Sequence, residues 1–202
     1  MKVAVGFKCH SGWAVRVVVG LDAGRFRLID RSRVDLIEAE DSPWAKAPYH
    51  AAEDLPAEAG SALVERARAS ADRASERSIR DSLAALRRAG HDVVASAVLT
   101  GSPMPDWSTA EILAVHVRMH KAEGAMFPAA LMRAADAGGI EMIAIREKEL
   151  SAQAERAFTK TPARDLIEEL GRGAGPPWGI DQKNAALAAM IALRRAAGNE
   201  RR

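Results

Sequence analysis

A chain of 202 residues with 48% hydrophobic and 28% charged side chains has the balance of a folded globular protein, and its length is ample for one sizeable core. Its 29 basic and 27 acidic residues leave a formal charge of only +2, so bulk charge is excluded as a reason to bind nucleic acid and a local basic face would be needed. The single cysteine, Cys9, excludes an intrachain disulfide, and no run of about 18 apolar residues is present to cross a membrane.

Met1-Lys2 enters a strand pattern directly, without the apolar run and small-residue cleavage site of a secretory leader, and a cytoplasmic protein with one domain over 1–202 is therefore expected. Val3 to Val19 reads as strand, loop, strand: VAVGF, then Lys8-Cys9-His10-Ser11-Gly12, then WAVRVVV. Both runs are Val-rich and too short for ordinary helices, and Ser11-Gly12 supplies the turn, so the pattern predicts the central hairpin of a sheet. After the turn Leu21-Asp22-Ala23-Gly24, a third strand is expected over Arg25 to Glu38, with alternating polar residues that place one face in water at or near an edge. Pro43 and Pro48 then mark a covering loop, with Pro48 opening a short helix.

Ser61 to Ala89 carries a helical stripe of Leu63, Ala67, Ala71, Ala74, Ile79, Leu83 and Leu86, stopped by Gly90. Asp92 to Thr100 reads as a buried strand. Ser108 and Glu111 form a capping-box pattern opening a second helix expected to run to Ala137, ended or kinked on the way by Pro128. Ile140 to Arg146 is a fifth strand. Helices are expected over Glu147 to Phe158 and Pro162 to Leu170. The Gly/Pro-rich GRGAGPPWG, Gly171 to Gly179, reads as a flexible linker, followed by a last helix from Asp181, its N-cap, to about Ala197. The chain closes on the charged Glu200-Arg201-Arg202.

The succession strand, strand, strand, helix, strand, helix, strand, helix resembles the ribonuclease H-like architecture of nucleases, junction resolvases and actin-like ATPase domains. VGFKCHSGWAVRVVV looks like the first hairpin of such domains, and GIDQKNAALAAMIAL is similar to the closing helix of the resolvases, with an acidic residue near its start. The resemblance implies an α/β fold with a mixed five-stranded sheet flanked by helices, and a phosphate-containing ligand such as a nucleotide or nucleic acid. The family's nucleases carry an acidic residue at the end of the first strand and another at the end of the fourth. This chain has Lys8-Cys9-His10 and Thr100-Gly101-Ser102 there. Asp181 alone keeps a matching acidic position, whereas two-metal phosphoryl chemistry needs several converging carboxylates.

Two constellations carry candidate chemistry. His116, His120 and Glu123, spaced by four and three, share one helix face beside the apolar stripe Ile112, Val115, Met119, Ala122 and Met126. Two imidazoles one turn apart suit a divalent metal with the carboxylate as third ligand or general base. Acid-base work and a hydrogen-bonded boundary cluster are the alternatives. In the Lys8 to Gly12 loop, Lys8 with the Ser11 and Gly12 amides suits an anion. Cys9 beside Lys8 and His10 is either an activated thiol or a small core residue. The expectation is one site that joins this loop, with His10, to His116, His120, Glu123 and Asp181, and that binds or hydrolyses a phosphate-containing molecule. The rival is a non-catalytic interaction module, homo-oligomeric, that uses the second helix as its contact surface.

Overall fold

The computed structural model describes residues 1–199, and the expected charged end, Glu200 to Arg202, lies outside the described residues. Five strands form one mixed sheet: β1 (Lys2–His10), β2 (Trp13–Asp22), β3 (Arg25–Asp35), β4 (Asp92–Thr100) and β5 (Met142–Arg146), in the spatial order β3-β2-β1-β4-β5. β1 to β3 pair antiparallel, while β4 runs parallel to β1 and β5 parallel to β4. The expected central hairpin is therefore central: β1 is the middle strand, and β3, with its alternating arginines, is an edge. The β2–β3 turn has positive φ at both Ala23 (46°) and Gly24 (81°), the backbone twist that matches a tight antiparallel reversal.

Two helical layers cover the sheet because successive side chains of a strand point to opposite faces. On one face Val3, Val5, Phe7, Val18 and Val98 pack with α2 (Ala57–Arg88) and α4 (His116–Ala137). On the other Ala4, Val15, Val17, Ala97 and Leu99 pack with α5 (Leu150–Ala157), α6 (Ala163–Gly171) and α7 (Ile180–Asn199). The Ala-rich face of α7, with Ala185, Ala186, Ala188 and Ala189 all buried, lets its backbone come close to β1. The contact is so tight that a Cβ at Gly6 would run into the Ala185 carbonyl. Two shorter helices, α1 (Pro48–Ala51) and α3 (Thr109–Leu113), join α2 and α4 around Tyr49, Ile112 and Met119 in a satellite core. Among the described residues no helix is long and apolar enough to cross a membrane.

Several features differ from expectation for identifiable reasons. The helix expected from Ser108 to Ala137 is two helices. The Ser108–Glu111 capping box forms, with Ser108 N donating to Glu111 Oε2 at 2.8 Å, but Val115 is extended (φ −143°, ψ 111°) and splits the run. Pro128 sits inside α4 without ending it. Asp181 is not the N-cap of α7: the helix starts at Ile180, Asp181 is in its first turn, and the Gln182 side chain accepts the Gly179 N–H at 2.9 Å. The 171–179 segment is pinned rather than free, since the Arg31 guanidinium donates to the carbonyls of Gly175 (2.9 Å) and Pro176 (3.1 Å).

Candidate functional site

Because β1, β4 and β5 are parallel, their carboxyl ends lie together. Lys8 is paired with Leu99, and Thr100 with Arg146. Lys8 and His10 share the parity of Ala4 and Gly6, so their side chains stand on the α7 face. There Lys8 Nζ donates to Glu147 Oε2 at 2.9 Å, just past the end of β5, and His10 Nε2 meets Asp181 Oδ2 at 3.1 Å. Two residues of the expected set, His10 and Asp181, are thus brought together across 171 positions of sequence. Trp13, opposite His10 in the hairpin, stacks on the His10 ring (centroids 4.2 Å apart, planes 11° apart) and receives the Arg33 guanidinium over its own ring at 4.2 Å. The result is a layer of imidazole, indole and guanidinium at the open end of the sheet, partly exposed to solvent.

The loop itself differs from the expected anion cradle. Lys8 is committed to Glu147. Gly12, with φ +82°, is buried: a Cβ there would meet Lys46 Cγ at 3.0 Å and Ile37 Cδ1 at 3.1 Å, and its carbonyl accepts the Leu36 N–H. The segment that follows β3 therefore covers Gly12, and of the turn only Ser11 is exposed. Cys9, of opposite parity, packs against the α2/α4 core. Burial pushes its thiol up to about 12, outweighing the pull of Lys8 in the other direction. It is a protonated core thiol, not an activated nucleophile.

The second constellation lies on the other side of the sheet. His116 and His120, one turn apart at the start of α4, have Nε2 atoms 3.1 Å apart. They are joined by a residue that sequence spacing does not link to them, His50 of α1, whose ring centroid is 5.0 Å from that of His116 and 4.5 Å from that of His120. Glu123 does not reach the His116–His120 pair as a third member. It is buried, and its carboxylate takes the N–H groups of Tyr49 (3.0 Å) and His50 (3.1 Å) and lies 2.8 and 2.9 Å from His50 Nδ1. The spacing rule finds the two helical imidazoles and misses His50. Its position depends on Pro48 starting a one-turn helix and on Glu123 binding that turn's backbone.

One joint site is thus not what forms. The Lys8–His10–Asp181 group and the histidine group stand on opposite faces of the sheet, though near the same end. His120 also lines an open groove of about 850 Å³ between α4 and the ends of β4 and β5, with Thr100 and Arg146 on its wall.

No protein-family profile matches the chain, and no curated protein matches it. Solved structures do. T. thermophilus RuvC in complex with Holliday junction substrate superposes at a TM-score of 0.50 and 12% identity, over 97% of this chain and 96% of that one. The yeast mitochondrial Holliday junction resolvase Ydc2 superposes at 0.50 and 10% identity, over 98% and 82%. The fold is ribonuclease H-like, with the mixed five-stranded sheet and flanking helices that the strand order implies.

Proposed function

We propose that this protein binds nucleic acid through its phosphates at the open end of β1, β4 and β5, and does so without two-metal hydrolysis. The observation that carries the reading is the pairing at that end. The first strand ends Lys8-Cys9-His10 where nucleases of the resembled family place a carboxylate, and the carboxylates of Glu147 and Asp181 at that end each face a basic side chain. Two divalent ions need converging, unshared carboxylates. A lysine, a histidine and the exposed Arg33 guanidinium, which lies over Trp13, suit a phosphate instead. The likeness to a resolvase whose structure contains its junction DNA supports nucleic acid as the ligand class.

The test is fluorescence anisotropy with labelled four-way junction, duplex and single-stranded DNA, followed on gels with Mg²⁺ or Mn²⁺. Binding to one of these without cleavage, weakened several-fold by Lys8→Glu, is expected. Failure to bind any of them, or metal-dependent cutting that Asp181→Asn abolishes, overturns the proposal.

A second reading has one observation in its favour. The groove beside α4 is mostly apolar, and Val117 and Met132 on it are exposed (70% and 37%). Association of two copies through that face would give a dimer in light scattering that Val117→Glu converts to monomer.

A further inference from the structure

We propose that His50, His116 and His120 form a mononuclear site for a divalent ion of the zinc class, with an open fourth position, separate from the nucleic-acid face proposed above. One nitrogen from each ring lies within 4.8 Å of those of the other two, and no other group of three or more histidine, cysteine or acidic side chains among the described residues is so placed. A tetrahedral ion bound at 2.0–2.1 Å needs ligand nitrogens about 3.3 Å apart. The His116–His120 pair is at 3.1 Å already. Small rotations of partly exposed rings bring in the third.

The rings meet edge to face or tilted, at 87°, 54° and 90°, instead of stacking. That arrangement lets in-plane lone pairs converge on one point, whereas stacked rings would turn them outward.

The hydrogen bonds behind the rings point the same way. His50 Nδ1 faces the Glu123 carboxylate and must donate to it, which fixes the ring's tautomer and leaves the lone pair on Nε2. His50 Nε2 is buried and has no hydrogen-bond partner, an expensive vacancy for a polar atom unless a ligand fills it. His116 Nδ1 in turn faces a Glu53 carboxylate oxygen at 3.8 Å, beyond hydrogen-bond length but close enough to favour that nitrogen as the protonated one, leaving its Nε2 for the shared point. Carboxylate, imidazole and metal in series is how ligating histidines are ordinarily oriented.

The backbone shows how the set is assembled. The extended Val115 ends α3 and restarts the chain as α4 at His116, and Glu123 draws α1 onto α4 by binding the N–H groups of Tyr49 and His50. Three imidazoles with His116 and His120 exposed leave room for water or a small anion as fourth ligand.

The test uses tag-free full-length protein stripped with chelator. Isothermal titration with Zn²⁺ is expected to show one equivalent bound, and Co²⁺ in its place to give the intense visible bands of a tetrahedral site. His116→Ala and His120→Ala, both at exposed positions, are expected to weaken binding about 100-fold or more while leaving the circular dichroism spectrum unchanged. Glu123→Gln is expected to weaken it about 10- to 100-fold, as loss of an outer-shell partner does. No binding by the unsubstituted protein, a cobalt spectrum of octahedral intensity, or affinity unchanged in the His116→Ala/His120→Ala double variant would each overturn the proposal. DNA binding in the assay above is expected to be the same with and without zinc, so the two proposals fail independently.

Discussion

At the scale of single residues, parity along β1 decides what each side chain can do. Cys9 and His10 are adjacent and face opposite layers, as strand alternation requires, so they form no dyad. The raised Cys9 thiol is neutral at any ordinary pH, and alkylation by iodoacetamide at pH 8 is expected to be at least about tenfold slower than for a free cysteine, becoming ordinary on unfolding in urea. A thiol that reacts at the free rate in the folded protein would refute this. Gly6 is the opposite case, a position fixed by what it must not carry. Gly6→Ala pushes a methyl into the Ala185 carbonyl of α7, which cannot move as a side chain would. The expected cost is about 3 kcal/mol, or roughly 6 to 12 °C in the thermal midpoint by calorimetry.

At the scale of elements, the segment between β3 and α1 is held to α2 by charge. The Arg77 guanidinium clasps Glu38 with two bonds, of 3.0 and 2.8 Å, and Arg66 reaches the buried Asp41 at 2.8 Å. The bond from Arg77 holds the Glu38 carboxyl below its usual range, and the Ser70 hydroxyl, with Arg66, does the same for Asp41. Groups whose acidity is strengthened by folding stabilise the fold above their unfolded values, about 4, and lose that contribution as pH falls through the lower folded values. The urea midpoint is therefore expected to hold between pH 7 and 5 and to decline below about 4, with a shallower decline in Arg77→Met. An equally steep decline in that variant would show that the clasp is not responsible.

The elements also show where sequence was a sufficient guide. The strands, the buried fourth strand and the Ser108–Glu111 cap were legible because each is a local pattern, of alternation or of a side chain reaching three residues on. The break at Val115 was not, because the apolar spacing runs straight through it: Ile112 and Met119 are both buried while Val115 itself is exposed. His50 was illegible for a different reason. Its partnership with Glu123 spans 73 residues and depends on tertiary placement alone, so no spacing rule contains it.

Over the whole molecule, both candidate sites lie near one end of the sheet, on opposite faces, and the near-equal numbers of acidic and basic residues make local pairing more important than net charge. Glu147 restrains Lys8 in the structure described here. Glu147→Gln is accordingly expected to tighten DNA binding several-fold and to steepen the logarithmic salt dependence by about one counterion, read from anisotropy titrations at several salt concentrations. Unchanged affinity would mean that Lys8 does not touch phosphate. The topology of the sheet was readable from element order, but which carboxylate would neutralise Lys8 was not, because β5 and its following turn reach that lysine only through the parallel register of β4.

The packing of α7 on β1 has a consequence for how the chain is made. β1 precedes α7 in the chain with every other element between them, so the small-residue side of the central strand stays uncovered until α7 has been made. Until α7 follows, the valine- and alanine-lined side of the sheet lacks the helix that seals it, so the core on that face is completed by contacts between segments remote in sequence.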